Sequence, residues 1–393
     1  RIGFAWRVLG DNRTVVRGGY GIFYNRIVSA NGLSTMYRGL PFRRSEAFTN
    51  SRALTVATWE VPFPAGISGG GLAPQGMNGD FPDAYIQQWS FGVQRELTRK
   101  LVFEATYLGS KGTRLPISFN INIPEPGPGA IPARRPWRQW GNINYRDAIG
   151  TSNLHALYTR IEHRFASGLS FLNSYTWSKS LDIDSPPATG GAGESGIINF
   201  RNIRNERGLS EFDIRHRFTS SLVYELPFGT GKRWLSGASP AANHILGGWE
   251  LTGIVGVQSG RPYTINTTRD MANTGGNNRP ILVGDPKLAN PTPERWFNTG
   301  AFSDRLPAGQ FAFGNVGSNT MIGDGVVNFD LGLFKNFAVR EGLRVQFRTE
   351  FFNAFNHANF GIPVRNVNSG TFGRVQATTT LNRQIQFGLK LIF

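Results

Sequence analysis

The sequence has no cysteine, and that absence removes both a disulfide-stapled scaffold and a thiolate metal site. It also lacks any run of 18 or so apolar residues, so no stretch of it reads as a membrane-spanning helix. Histidine is scarce. None of the five (His155, His163, His216, His244, His357) stands in an H-x-x-x-H or H-E-x-x-H pattern that would bring two imidazoles to one metal. Acidic residues are the minority, 26 against 42 Lys and Arg, for a net charge of +16. The cations are scattered singly rather than gathered in a run or along one helix face, which argues against a nucleic-acid partner. No pair of carboxylates stands at a catalytic spacing. The residues therefore make no case for an enzyme, a cofactor or a metal.

What is abundant is glycine, 49 residues, and phenylalanine, 30 residues, a mixture that favours strands and turns over helices. The chain ends "RQIQFGLKLIF". There Ile385, Phe387, Leu389, Leu391 and Phe393 occupy every second position, opposed mainly by Gln384, Gln386, Gly388 and Lys390. A period of two is a strand with one apolar and one polar face. The same alternation recurs at 1–8, 13–24, 84–97, 101–110, 153–165, 169–178, 213–226, 248–258, 326–337 and 342–355, about eleven strands in all. Many are about ten residues or longer, against five or six in globular proteins.

The connections alternate too. Short links at 10–12, 98–100, 166–168 and 338–341, with a somewhat longer one at 227–247, separate long ones at 25–83, 111–152, 179–212, 259–325 and 356–382. Compact soluble domains rarely carry so many long irregular loops. The expected fold is therefore all-β: an antiparallel transmembrane β-barrel, short turns on one rim and long loops on the other. Apolar faces then meet lipid and polar faces line a watery lumen. Trp6, Tyr24, Trp89, Tyr107, Trp177 and Trp249, near strand ends, suit interfacial girdles. A soluble β-sandwich would explain the alternation equally well, but not the strand lengths or the terminal Phe.

These segments resemble a known family. "RIGFAWRVLGDNRTVVRGGYGIFYNRI", "SYTWSKSLD", "DIRHRFTSSLVYELPFGTGKRW", "GGWELTGIVGVQSGRPYT", "NFDLGLFKNF" and "LRVQFRTEFFNAFNHANFG" look like the C-terminal barrel of TonB-dependent outer-membrane receptors. The subgroup they most resemble is the Oar-like one, whose members begin with a carboxypeptidase-regulatory-like domain. The resemblance runs from residue 1 to residue 393. It implies a barrel of about 22 strands with a plug, so eleven strands make residues 1–393 the C-terminal half. The plug, TonB box and first half of the barrel are expected upstream, and an odd strand number agrees with a partial barrel. It also implies that Ile385, Phe387, Leu389, Leu391 and Phe393 are the signal read by the barrel-assembly machinery.

Two short motifs fail on context. "GISGG" (66–70) formally matches a nucleophile elbow but lies in a Gly/Pro loop rather than a strand–turn–helix. "FGTGKR" (228–233) lacks the first glycine of a phosphate loop and has Arg after its Lys. Loop clusters around Asp182, Asp184 and Glu194, or Asp270 and the asparagines after it, read as solvated loops rather than Ca²⁺ sites. Candidate lumen charges are Arg13, Arg17, Asp213, Arg215, Arg217, Asp330, Arg344, Arg348 and Glu350. They would either attract anionic solutes or, the favoured reading, pair inward cations with carboxylates such as Asp213, Asp330 and Glu350 or with acidic residues of the plug.

The function implied by the resemblance is TonB-powered uptake of a large or scarce solute across the outer membrane. Its partners would be lipid and lipopolysaccharide, the assembly machinery, TonB through the N-terminal part, and the solute. The competing classes are a surface adhesion or carbohydrate-binding β-protein without transport, and a basic nucleic-acid-binding β-protein.

Overall fold

The computed structural model describes residues 1–8, 10, 13–25, 58–61, 74–184, 196–340 and 342–393. Eleven strands pair in strict chain order into one sheet: β1 (Ile2–Val8), β2 (Thr14–Asn25), β3 (Ala84–Thr98), β4 (Leu101–Asn120), β5 (Asn144–Ala166), β6 (Leu169–Asp182), β7 (His216–Glu225), β8 (Trp249–Gln258), β9 (Val326–Arg340), β10 (Leu343–Phe352) and β11 (Gln384–Ile392). Every neighbouring pair on this path is antiparallel. Two short strands join the sheet off the path: Gln75–Met77, parallel to the start of β5, and Gly208–Leu209, antiparallel to the end of β6. β1 and β11 are the two ends of the sheet.

Cross-strand partners share a face, so the register shows which residues lie together. Trp6 pairs with Val16, then Val93, Ala105, Thr159, Tyr175, Phe218, Val257 and Val327 in one row across nine strands. On the far strands Leu331, Phe351 and Ile385 make another row of the same face. The alternating apolar residues of all eleven strands thus form a single face. It is an exposed one, with Ile2, Trp6, Tyr24, Phe91, Phe387 and Leu389 all open to the surroundings. A sandwich would bury this face, and among the described residues it is not buried. So large an exposed apolar surface needs a non-aqueous partner, which a soluble sandwich does not offer it.

The turns follow local chemistry. Between β5 and β6, Ser167 (φ 53°) and Gly168 (φ 83°) make a two-residue hairpin with both residues left-handed, the geometry that matches strand twist. At the β7–β8 link a short helix, Pro240–Leu246, is capped by the Ser239 hydroxyl, which accepts from Ala242 N–H at 3.3 Å.

Several expected boundaries need correction. β4 runs to Asn120 rather than Ser110, and β5 begins at Asn144 rather than Asn153. At 20 and 23 residues they extend about 65–75 Å, far more than the 9–11 residues that cross a membrane. Alternation was lost at their far ends because those ends pack on other loops instead of meeting lipid. β7 starts at His216, so Asp213 and Arg215 precede it, and β10 stops at Phe352, leaving Phe355 beyond it. There Asn353 turns the chain with a φ of 48°.

Candidate functional site: the long-loop rim

Among the described residues, the later long links do not hang as separate loops. Segments 259–325 and 353–382 fold together around Tyr263, Ile265, Phe297, Ala301, Phe302 and Val316, with Trp296, Met321, Val367 and Phe372 packed against them. The aromatic rings meet edge to face, Phe297 with Phe302 at 5.7 Å and with Phe372 at 5.1 Å. Burial pushes the Tyr263 phenol well above its ordinary pKa. A second core joins Ile117 and Phe119, on the extension of β4, to Ile197 of the β6–β7 link, with Phe119 stacked on Phe200 at 5.7 Å.

Polar contacts tie these loops into one cap. Arg279 of the β8–β9 link donates to Glu206 of the β6–β7 link at 2.5 Å, and both side chains are almost fully buried. The other carboxylate oxygen of Glu206 accepts from Ile198 N–H at 3.1 Å. Arg134 donates to the Asn273 carbonyl, joining the β4–β5 link to the same cluster. Asp304 accepts from Asn368 at 2.8 Å and Arg269 at 3.0 Å. Burial alone would raise the pKa of Asp304, but these donors outweigh it and hold the carboxyl below its ordinary value.

Asparagine does much of this bracketing. Asn122, fully buried, donates to the Trp137, Trp140 and Gly141 carbonyls at 3.0, 3.1 and 2.7 Å, and accepts from Trp137 N–H at 2.9 Å. Asn359 accepts from Val327 N–H at 2.7 Å and donates to its carbonyl at 3.1 Å, extending the β9 ladder with a side chain. From sequence these asparagines register only as loop composition. An Asn closes such a loop because its amide offers a donor and an acceptor in the geometry of a peptide group.

The charges expected in the lumen divide into two groups. Arg17, Arg217, Asp330, Arg344, Arg348 and Glu350 sit on the face opposite the apolar rows: Arg348 pairs with Phe334 and Gly388, Glu350 with Gly332 and Gln386, and Arg217 with Thr176 and Gln258. Asp213 and Arg215, by contrast, lie before β7, and Arg13 before β2. Pairing with carboxylates is only partly realised. Arg215 meets Asp213 at 3.5 Å, but Arg348 donates to Gln346 at 2.6 Å and lies 4.9 Å over the Phe334 ring. Arg217 donates to Gln258 at 3.2 Å, while Asp330 accepts from Asn353 N–H at 2.9 Å. Glutamine and an aromatic ring take the place of carboxylates because acids are few in this chain.

Of the rejected motifs, Lys232 of "FGTGKR" pairs with Glu225 at 2.6 Å, which leaves that turn no phosphate-binding lysine. "GISGG" and Glu194 lie outside the described residues. Asp270 accepts from Gly275 N–H at 2.5 Å, a turn-closing contact. No group of three potential metal ligands occurs among the described residues.

An exposed apolar face over eleven long antiparallel strands, with structured loops at one rim, is the architecture of proteins that cross the outer membrane as strands. The solved outer membrane transporter YddB from Escherichia coli is similar over 99% of this chain and 40% of its own, with a TM-score of 0.50 and 9% identity. The ferric enterobactin receptor PfeA from Pseudomonas aeruginosa is similar over 99% of this chain and 39% of its own, at a TM-score of 0.46 and 11% identity. The siderophore receptor PiuA from Acinetobacter baumannii covers 99% and 35%, at 0.45 and 8%. No curated protein matches the chain. The sequence profile of the outer membrane beta barrel domain matches residues 1–386, and the chain belongs to that family, an outer-membrane β-barrel.

Proposed function

We propose that residues 1–393 are the C-terminal half of the barrel of an Oar-like TonB-dependent receptor that imports a large or scarce solute. The observation that carries the reading is the state of the sheet's ends. Among the described residues β1 and β11 each have a single neighbouring strand on the path, and an unpaired strand edge is costly in hydrocarbon, where no water can satisfy it. A further set of strands of similar number would close the sheet around a lumen wide enough for a plug. The span of this chain on YddB, 40% of that chain, is compatible with such a division.

The remaining assignments follow from that reading. The inward charges Arg17, Arg217, Asp330, Arg344, Arg348 and Glu350 face the plug and the solute path. Ile385, Phe387, Leu389, Leu391 and Phe393 are the signal that the assembly machinery reads on the last strand. Lipid and lipopolysaccharide cover the apolar rows.

The test uses the full-length protein encoded by the complete reading frame, purified in detergent. It should bind the periplasmic domain of TonB, lose that binding when its TonB box is deleted, and stay closed in planar bilayers. A protein that does not bind TonB, with or without a solute extract, sinks the transport reading in favour of surface adhesion.

A further inference from the structure

Where three loops of the cap meet, the rim holds a cavity of about 380 Å³, within the range of small-molecule sites. Its walls come from the end of β4, the start of β5, the segment from Gly196 to Ile198, and the stretch from Gly275 to Asn277. In a chain of net charge +16, no residue lining it carries a charge. The polar lining is instead amide and hydroxyl: Ser118, Asn120, Asn142, Asn144 and Asn277. Asn142, Asn144 and Asn277 are exposed at their positions, the Asn142 oxygen already accepting from Arg135, so the Asn144 and Asn277 amides are the ones open to a ligand.

Four arginines beside the cavity are engaged by other groups of the protein, the first of them Arg146, whose Nε donates to the Ser118 hydroxyl at 3.1 Å. Arg135 donates to Asn142 at 2.9 Å and to the Asn122 carbonyl at 2.9 Å. Arg201 pairs with Glu125 at 2.8 Å and donates to the Ile123 carbonyl at 2.8 Å. Arg279, two residues from Asn277, is consumed by Glu206, whose carboxylate also fixes Ile198 in the cavity wall. Among the described residues, a small anion entering here meets only guanidiniums already engaged in these contacts. The walls are also closely fitted: a Cβ at Gly196 would lie 1.7 Å from the Asn277 amide nitrogen, so glycine is what lets that amide sit where it does.

We infer that this cavity binds an uncharged, hydroxyl-rich ligand, a segment of a neutral oligosaccharide. Uncharged amides lose their water on binding and must be repaid in hydrogen bonds, which hydroxyl groups supply in both senses. An ionic ligand would bring the far larger desolvation cost of a charge with no partner to offset it. The inference names the solute class of the transporter proposed above and rests on that reading.

The experiment presents full-length protein in detergent to a printed array of neutral and acidic oligosaccharides, followed by calorimetric titration of the strongest neutral hit. Neutral members should bind and their uronic or sulfated counterparts should not. Asn277→Ala and Asn144→Ala, each removing one open amide, should weaken binding at least tenfold while leaving heat-modifiable barrel unchanged. Two variants are used so that misfolding of one does not decide the matter. Silence of every neutral member, preference for acidic ones, or wild-type binding by the folded variants overturns the assignment. TonB-domain binding measured on the same preparation separates the two readings. TonB binding with a silent array removes the cavity assignment alone, whereas sugar binding without TonB removes the transport reading alone.

Discussion

The sheet and the cap are built from one composition by opposite rules. On the sheet, Phe387 and Leu389 are 68% and 72% exposed, whereas in the cap Phe297 and Tyr263 are 2% and 1% exposed. A phenylalanine facing lipid gains nothing from being covered by protein, because hydrocarbon already excludes water from it. A phenylalanine in a loop above the membrane is surrounded by water and must find its own core. The same residue type therefore signals surface in one half of the molecule and interior in the other. Polar groups mirror this: Glu206 and Arg279 are buried as a pair in the cap, whereas strand charges such as Arg17 and Arg217 stay on the face opposite the apolar rows.

The largest test of that contrast is in the cap. Glu206→Gln leaves the buried Arg279 guanidinium without its counter-charge, a loss of about 3–5 kcal/mol. Hydrogen exchange on the full-length protein should show the loops around Ile198 and Arg279 opening while strand amides keep their protection. Equal loosening of β8 and β9 would mean that cap and sheet are one cooperative unit.

A test on the sheet comes next. Leu333, at the centre of β9, shares its face with Leu251 and Thr349. Leu333→Arg should cost roughly 2–4 kcal/mol, read as a lowered urea midpoint in refolding into vesicles, whereas Leu333→Phe should be close to neutral. If both refold like wild type, that face does not meet lipid.

Phe393→Ser should have a smaller effect on stability and a larger one on assembly. The residue is 94% exposed at the chain's end, so its loss removes little buried area. Purified variant should refold nearly normally in detergent, while outer-membrane fractions should hold little heat-modifiable barrel. Wild-type levels in the membrane would reduce the terminal aromatic to an interfacial anchor.

The smallest effect is a pH dependence. Because its donors hold Asp304 below the ordinary carboxyl value of 3.8, its contribution to the cap is present above that pH and fades as pH falls through the lower folded value. Asp304→Asn should therefore weaken cap protection slightly near neutrality, and the difference from wild type should shrink below about pH 4. A gap that widens on acidification would show that Arg269 and Asn368 do not stabilise the carboxylate.

How much was legible follows from which solvent each region meets. Every strand of the sheet was readable to within a few residues where lipid lies on one side and water on the other, since those two solvents impose a strict alternation. The reading failed at the ends of β4 and β5, from Ser110 to Asn120 and from Asn144 to Asn153. There the strands rise beyond the membrane and pack on Ile197 and Phe200, so neither solvent enforces a period. It failed again at Asn122 and Asn359, because an asparagine that brackets a loop looks in sequence like any other loop residue. The amide-lined cavity left no local signal either: Asn120, Asn144 and Asn277 lie far apart along the chain. By itself, then, the sequence determined the strand count, the antiparallel order, the lipid-facing rows and the outer-membrane setting, because two-residue periodicity is a local property read one strand at a time. Only the tertiary structure decided which loops share a core, that Glu206 meets Arg279 across 73 residues, and where uncharged amides converge. Those contacts join segments distant in sequence, and no local pattern specifies which distant partner a side chain will meet.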